Sequence, residues 1–252
     1  MAFELAKQGL NIIVVARSPD KLEQTKKEIS EKYSKIEVRT VIVDFSNFDQ
    51  TARDNVAKAV ADLDVGVLVN NVGMSYPFTK YFHELKDEEV GQMMALNVAS
   101  TTWMTKIVVA GMVERKRGAI VNIGSAAGVT VSPLLAEYGA AKSYVTMFSR
   151  ALNAEYARYN IQVQCQVALF VTTKLAKIKK SSFFVPSPAD YARSAVRAIG
   201  YESVTSPYWT HALQLWVMAM LPEDVVTRIT HNMHLDIRKK GMKKESEKKK
   251  DT

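Results

Sequence analysis

The chain has 252 residues, 47% of them hydrophobic, which is enough to bury one substantial core as a single domain. Its one cysteine, Cys165, excludes an intrachain disulfide and fits a reducing, cytosol-facing setting. The net charge is +8, and residues 236–252 supply +4 of it. This basic tail contains no aromatic residue and no nucleic-acid motif, so it favours a solvated or membrane-surface role over nucleic-acid binding.

Strand and helix patterns alternate along the chain, which predicts a parallel sheet sandwiched between helices. Residues 1–9 resemble the second half of a helix that ends at a C-cap glycine, Gly9. The predicted core elements then follow as strand 12–16, helix 19–33, strand 38–43, helix 50–63, strand 65–69, helix 87–116, strand 120–125, a helix around Tyr138 to about residue 159, and strand 162–167. We predict one α/β domain at 1–235, a Rossmann-like doubly wound parallel sheet in three layers, and a basic tail at 236–252.

The beginning of the chain departs from this fold. In dinucleotide-binding sheets a strand and a glycine-rich turn precede the first helix, and the turn holds the cofactor pyrophosphate. Gly9 is the only glycine in the first 65 residues, so this sequence contains neither element. The absent strand would be central, and its loss leaves two interior strand edges unpaired. We therefore expect an N-terminally incomplete domain, through a truncated gene model or an alternative start.

Three residues form a recognisable chemical group. Tyr138 and Lys142 are four apart on a predicted helix, so they lie on one face, one turn from each other. A free phenol ionises near pH ~10, and a neighbouring ammonium would make it a usable acid at neutral pH. Ser125 ends a buried apolar run thirteen residues before Tyr138. Together these side chains can hold and protonate a carbonyl oxygen while hydride reaches its carbon.

With these residues, the chain resembles the short-chain dehydrogenases/reductases from about residue 2 to about residue 200. The segment 70–73, Asn-Asn-Val-Gly, resembles the NNAG motif of that family, and Asn97 matches its helix asparagine. The resemblance implies that Tyr138 is the general acid, and that Lys142 lowers the pKa of Tyr138 and holds the nicotinamide ribose. It also implies that Ser125 polarises the carbonyl, and that Asn97 supports the helix and a water-linked proton relay.

The end of strand 12–16 bears on the choice of cofactor. An acidic residue there would favour NAD, whereas a cation favours the 2′-phosphate of NADP. The chain has Arg17 at this place and no acid before Asp20, and an arginine can donate two hydrogen bonds to a phosphate. We therefore predict NADPH and the reductive direction. The alternative is that Arg17 is a surface charge in front of a helix.

Further cofactor contacts come from the resemblance. It implies that Asp44 contacts the adenine and that Asn71 lies against the adenine ribose. After Cys165 the family pattern has Pro-Gly followed by Val-x-Thr, which closes over the nicotinamide. Here Val171 and Thr173 keep the second half of the pattern. Residues 168–169 are Ala-Leu in place of Pro-Gly, so the pattern does not predict the backbone turn at this place.

The C-terminal third resembles the microsomal very-long-chain 3-oxoacyl-CoA reductases of the plant type, a group related to the 17β-hydroxysteroid dehydrogenases of types 3 and 12. The segments with this likeness are 170–175, 187–192, 199–202 and 207–212, and the loop 73–77 fits the same group. The resemblance implies reduction of a long-chain 3-oxoacyl-CoA with NADPH in fatty-acid elongation, with elongase-complex proteins or a homodimer as partners. Two alternatives stay open: a reductase of 17-oxosteroids or other ketones, and a non-catalytic member of a membrane complex.

Two features concern location. Residues 209–221 are largely apolar but shorter than the roughly 20 residues that span a bilayer. Trp209 and Trp216 could anchor this stretch in a membrane interface, and a core or substrate-lid helix explains it equally well. The chain ends Lys249-Lys250-Asp251-Thr252, which matches a dilysine signal. With the family resemblance, it predicts the cytosolic face of the endoplasmic reticulum membrane.

The histidines do not predict a metal site. His83, His211, His231 and His234 have no metal-ligand spacing with cysteine or carboxylates. His231 and His234 lie three apart in a helix-like stretch, and we predict that both are surface residues.

Overall fold

The computed structural model describes residues 1–173, 178 and 180–250, with the side chains of 248–250 left out. Its helices are α1 Ala2–Lys7, α2 Pro19–Lys32, α3 Gln50–Val60, α4 Asp87–Met94, α5 Ser100–Arg115, α6 Ala136–Tyr156, α7 Pro188–Arg197, α8 Trp209–Ala219 and α9 Glu223–Lys250. Its strands are β1 Ile12–Ala16, β2 Val38–Ile42, β3 Val67–Asn70, β4 Gly118–Ser125, β5 Ile161–Ala168 and β6 Val204–Thr205. The predicted α/β class is confirmed.

The strands form two parallel sheets. β1 pairs with β2, from Ile12 opposite Val38 to Ala16 opposite Ile42. The other sheet has the order β3-β4-β5-β6. β1 and β3 therefore each pair with a single strand among the described residues, and their free edges are the two that the sequence predicted to be unpaired.

Apolar packing connects the two sheets. One cluster of buried side chains contains Leu5, Ala6, Ile12, Ile29 and Val38, from α1, α2, β1 and β2. Val67 and Val69 of β3, in the other sheet, pack against this same cluster. Because burying apolar surface is favourable without directional bonds, this contact holds the sheets together although they share no strand pairing.

A chain of buried hydrogen bonds crosses the larger sheet. Asn70 Nδ2 donates to Asn122 Oδ1 at 2.8 Å and to Thr105 Oγ1 at 3.1 Å. Asn122 Nδ2 in turn donates to Ser149 Oγ at 2.8 Å. Breaking such a network leaves buried polar groups unpaired, so it holds β3, β4, α5 and α6 in one arrangement.

The C-terminal segment is helical. Residues 236–250, predicted as a tail, continue α9, and His234 on that helix is only 4% exposed. The prediction of a surface position for His234 is therefore wrong, and His231 is half-buried. The physical reason is that α9 packs on other parts of the chain: Thr79 Oγ1 donates to the His234 carbonyl at 2.6 Å, and His234 Nδ1 contacts the Pro133 carbonyl at 2.6 Å.

The predicted shortness of the 209–221 stretch is confirmed, since the helix there ends at Ala219. Among the described residues, no helix combines the length and apolar character needed to cross a bilayer. The dilysine-like ending lies outside the side chains that the structure describes.

Candidate active site

The structure brings Ser125, Tyr138 and Lys142 together, as the sequence predicted. Ser125 is the last residue of β4, while Tyr138 and Lys142 lie in the first two turns of α6. The Lys142 ammonium lies 5.9 Å from the centre of the Tyr138 ring. A strand end and a helix start therefore deliver a hydroxyl, a phenol and an ammonium to one place.

Lys142 is buried, with 6% of its surface exposed. Its Nζ donates to the Ile123 carbonyl at 2.9 Å. Burial lowers the pKa of Lys142 from 10.5 to about 8, with an opposing contribution from Cys165. A group with this pKa is mostly protonated at pH 7, so the site holds a positive charge that titrates close to neutrality.

The pKa of Tyr138 is shifted in the direction opposite to the one that the resemblance implies. Burial raises the pKa of its phenol above the ordinary value, and the Ser125 hydroxyl partly opposes the increase. The lowering by Lys142 that the resemblance implied is not found. The Lys142 ammonium donates to the Ile123 carbonyl and lies 5.9 Å from the ring centre. Burial is therefore the largest influence on the pKa of this phenol.

Asn97 links the loop after β3 to the helix that follows it. It is fully buried in a π-helical turn, Ala95–Ala99, which divides the single helix predicted at 87–116 into α4 and α5. Its Nδ2 donates to the carbonyls of Met74 at 2.9 Å and Met93 at 3.1 Å, and its Oδ1 accepts from the Met74 N–H at 3.2 Å. These bonds tie the loop after β3 to the helix, and π-turns of this kind are frequent at functional sites.

Two glycines set the spacing around Lys142. A Cβ at Gly73 would lie 2.7 Å from Asn97 Oδ1 and 3.4 Å from Lys142 Nζ. A Cβ at Gly128 would lie 2.5 Å from the Lys142 carbonyl carbon. Both turns approach their neighbours closely because they lack a side chain. Gly128 had not been identified as a site residue; a glycine three residues after the strand-end Ser125 was the available signal.

The predicted cofactor residues follow the carboxyl ends of strands. Arg17 is exposed directly after β1, and Asp44 follows β2, its parallel neighbour. Hydrogen bonds from the Ser46 hydroxyl and N–H, at 2.7 and 2.9 Å, lower the pKa of Asp44, and Arg17 adds to the effect. Arg17 and Asp44 are therefore close enough to interact at one edge.

The remaining cofactor candidates belong to the larger sheet. Asn71 is exposed directly after β3, while Val171 and Thr173 lie half-buried in the irregular segment after β5. Because β3, β4 and β5 are parallel neighbours, these residues share the carboxyl edge of the sheet with Ser125. In open α/β sheets ligands bind along this edge.

A metal centre has no support in the part of the chain that the structure describes, where no group of three or more His, Cys, Asp and Glu side chains could hold an ion.

A phenol, a hydroxyl and an ammonium converging at the carboxyl edge of a parallel α/β sheet define an oxidoreductase that acts on a carbonyl or hydroxyl group. The sequence comparison agrees with this class. The chain belongs to the short chain dehydrogenase family, whose family model matches residues 1–182.

Individual relatives extend the comparison. A Homo sapiens protein named very-long-chain 3-oxoacyl-CoA reductase is 41% identical over 245 residues, covering 96% of this chain and 78% of the relative. A very-long-chain 3-oxoacyl-CoA reductase-like protein of Arabidopsis thaliana is 39% identical over 247 residues, covering 96% and 78%. The structure of a short-chain dehydrogenase from Sphingobium yanoikuyae in complex with NADPH aligns with a TM-score of 0.72 at 23% identity, covering 88% of this chain and 90% of that one.

Replacing Tyr138 with Phe tests the proton donor. The substitution removes the phenolic hydroxyl and keeps the ring, so carbonyl reduction should be abolished. Affinity for NADPH should stay within about tenfold, a change of ~1.4 kcal/mol. Steady-state rates and a fluorescence titration with NADPH measure the two effects. Tyr144→Phe, which removes an exposed hydroxyl from the same helix, is the matched control and should keep full turnover. Turnover retained by Tyr138→Phe would refute its role as the acid.

Replacing Lys142 with Met tests the buried ammonium. Its pKa is about 8 in the folded protein against 10.5 in the ordinary amine, so the unfolded chain holds this proton more tightly. The cost of burying the charge is therefore complete below pH 8 and disappears as the pH rises towards 10.5, a difference of about 3 kcal/mol.

Urea unfolding of wild type and Lys142→Met at several pH values measures this difference. Relative to the variant, the wild type should gain stability as the pH rises between those limits. Lys21→Met, at an exposed position of α2, should show no such pH-dependent difference from wild type. A constant difference between wild type and Lys142→Met across the range would contradict the buried charge.

Proposed function

We propose that this protein reduces a very-long-chain 3-oxoacyl-CoA to the 3-hydroxyacyl-CoA with NADPH, the reduction used in microsomal fatty-acid elongation. The observation that carries the substrate class is the likeness to proteins named very-long-chain 3-oxoacyl-CoA reductase, which extends over 96% of this chain. The likeness includes the C-terminal third, beyond the residues matched by the family model, and so is more specific than the family alone.

The residues at the carboxyl edge fit NADP(H). Arg17, an exposed cation beside Asp44, suits the 2′-phosphate, and Asp44 and Asn71 suit the adenosine. Lys142 would hold the nicotinamide ribose, with Val171 and Thr173 at the carboxamide. The family structure in complex with NADPH supports this cofactor.

The protein's own residues control the proton. Bound NADPH supplies a hydride to the carbonyl carbon. Ser125 donates a hydrogen bond to the carbonyl oxygen and orients it, and Tyr138 transfers its phenolic proton to that oxygen as negative charge develops there. The Lys142 ammonium, 5.9 Å from the centre of the Tyr138 ring, places a positive charge near the phenolate that remains. Asn97, through its bonds to Met74 and Met93, keeps the adjoining loop and helix in place and supports the water-linked relay that reprotonates the phenol.

We also infer a location at the cytosolic face of the endoplasmic reticulum membrane, supported by the dilysine-like ending and by α8. This helix contains no charged residue. Trp209, Leu213, Trp216 and Met220 recur at helical spacing along α8 and its C-cap and are all exposed, the tryptophans by 58% and 60%. Exposed tryptophans on an uncharged helix are typical of the membrane interface. The alternative is that these exposed side chains of α8 contact a second copy of the chain or an elongase protein.

The substrate assignment is tested by following NADPH oxidation with a long-chain 3-oxoacyl-CoA and with estrone. We expect the acyl-CoA to have the higher kcat/KM. Equal or greater turnover of the steroid would overturn the acyl-CoA assignment and favour the ketone-reductase alternative. A parallel NADPH titration separates the third alternative, because a non-catalytic member would not bind the cofactor at micromolar concentration.

The membrane assignment is tested by flotation with phosphatidylcholine vesicles, prepared with and without an anionic lipid. The double variant Trp209→Ser/Trp216→Ser should lose vesicle binding by at least about tenfold, since two interfacial anchors are removed. Trp103→Ser, at an exposed tryptophan of α5, is the control and should bind as wild type does. Unchanged flotation of the double variant, or dissociation of a dimer by the same substitutions, would contradict the assignment.

A further inference from the structure

His211, the third residue of α8, is fully buried, and both of its ring nitrogens have partners. Its Nδ1 accepts from the Leu169 N–H at 3.3 Å, and its Nε2 contacts the Phe184 carbonyl at 3.2 Å. A neutral ring with its proton on Nε2 satisfies both contacts, as one nitrogen faces a donor and the other an acceptor. One imidazole thus joins two segments that are fifteen residues apart.

The surroundings of His211 favour this neutral ring. Burial lowers its pKa, opposed in part by hydrogen bonds to the Phe184 and Phe170 backbone. The ring packs edge-on against Tyr208 at 5.2 Å and tilted against Tyr191 at 6.1 Å. The preceding residue, Thr210, is also fully buried and donates to the Phe183 carbonyl at 3.2 Å. The first turn of α8 therefore holds the backbone of 183–184 through two buried polar side chains.

Leu169, the other partner of His211, adjoins the active site. The residue before it, Ala168, pairs with Ser125 in the β4–β5 register. The chain then continues to Thr172, whose N–H and hydroxyl both donate to the Pro186 carbonyl, at 3.1 and 3.2 Å. His211 is thus bound to the backbone one residue beyond the strand position beside the carbonyl-polarising hydroxyl.

The sequence at 168–169 does not by itself restrict the backbone at the end of β5. Ala168 and Leu169 stand where the family pattern has Pro-Gly, and neither residue restricts the backbone as proline does. Hydrogen bonds of the backbone, such as those from Thr172 to Pro186, then contribute to the course of the chain after β5. Among the described contacts of Leu169, the hydrogen bond from its N–H to His211 has this effect.

We propose that His211 is a positioning residue for the cofactor site: its Nδ1 fixes the Leu169 backbone and so orients the following residues, Val171 and Thr173, towards the nicotinamide. The proposal rests on the nicotinamide assignment of those two residues in the proposed function. It does not depend on whether the substrate is an acyl-CoA or another ketone.

Three substitutions of His211 separate its two hydrogen bonds. His211→Phe fills the space and removes both. His211→Asn places an amide oxygen near the position of Nδ1 and can accept from Leu169. His211→Gln places its amide nitrogen near the position of Nε2 and can donate to Phe184. Tyr191→Phe is the matched control, since the buried Tyr191 hydroxyl has no hydrogen-bond partner among the described residues and borders the same ring.

The measurements are the NADPH dissociation constant, kcat and KM with a long-chain 3-oxoacyl-CoA, and hydrogen exchange of the peptide containing Leu169. We expect His211→Phe to weaken NADPH binding by about tenfold, a change of about 1.4 kcal/mol, and to speed exchange at Leu169. His211→Asn should recover most of both properties, His211→Gln much less, and Tyr191→Phe should match wild type.

Unchanged NADPH affinity and Leu169 exchange in a folded His211→Phe would overturn the proposal. If His211→Phe does not fold, His211→Asn and His211→Gln are compared instead. Equal NADPH affinity and equal Leu169 exchange in these two variants would also overturn the proposal. A wild type that binds NADPH but prefers another ketone would contradict the acyl-CoA assignment alone, because the binding and exchange comparisons need no substrate.

Discussion

The buried ammonium of Lys142 is the constraint around which the site is arranged. A charge removed from water is costly unless the protein supplies hydrogen-bond partners, and the Ile123 carbonyl on β4 accepts a hydrogen bond from this ammonium. The turn at Gly128 contacts the Lys142 backbone, and the turn at Gly73 approaches its ammonium. The low pKa of about 8 shows that this environment compensates only part of the desolvation cost, as is usual where stability is given up for chemistry.

The support for this site comes from side-chain networks as well as from strand pairing. The sheets share no strand ladder among the described residues, yet Val67 and Val69 of one pack on the apolar cluster of the other. Within the larger sheet, the bonds from Asn70 to Asn122 and from Asn122 to Ser149 link the strands that carry Asn71 and Ser125 to the helix of Lys142. Buried and mutually satisfied polar groups give such a network one low-energy arrangement, which keeps strand ends and helix in register.

The C-terminal helices lie outside the segment matched by the family model and pack on it. The carboxylate of Glu84 pairs with Arg238 of α9, and Thr79 binds the His234 carbonyl on the same helix. α8 reaches the chain after β5 through Thr210 and His211. These contacts join segments far apart in sequence.

Short-range regularities in the sequence determined the succession of strands and helices along the chain and the pairing of Tyr138 with Lys142 on one helix face. Each follows from the period of a helix or strand or from the order of elements in the chain. Tertiary structure alone decided the π-turn at Asn97, the raised pKa of Tyr138, and the burial of His211 and His234. These properties depend on burial and on partners distant in sequence, such as Met74 for Asn97 and Leu169 for His211, which no local pattern encodes.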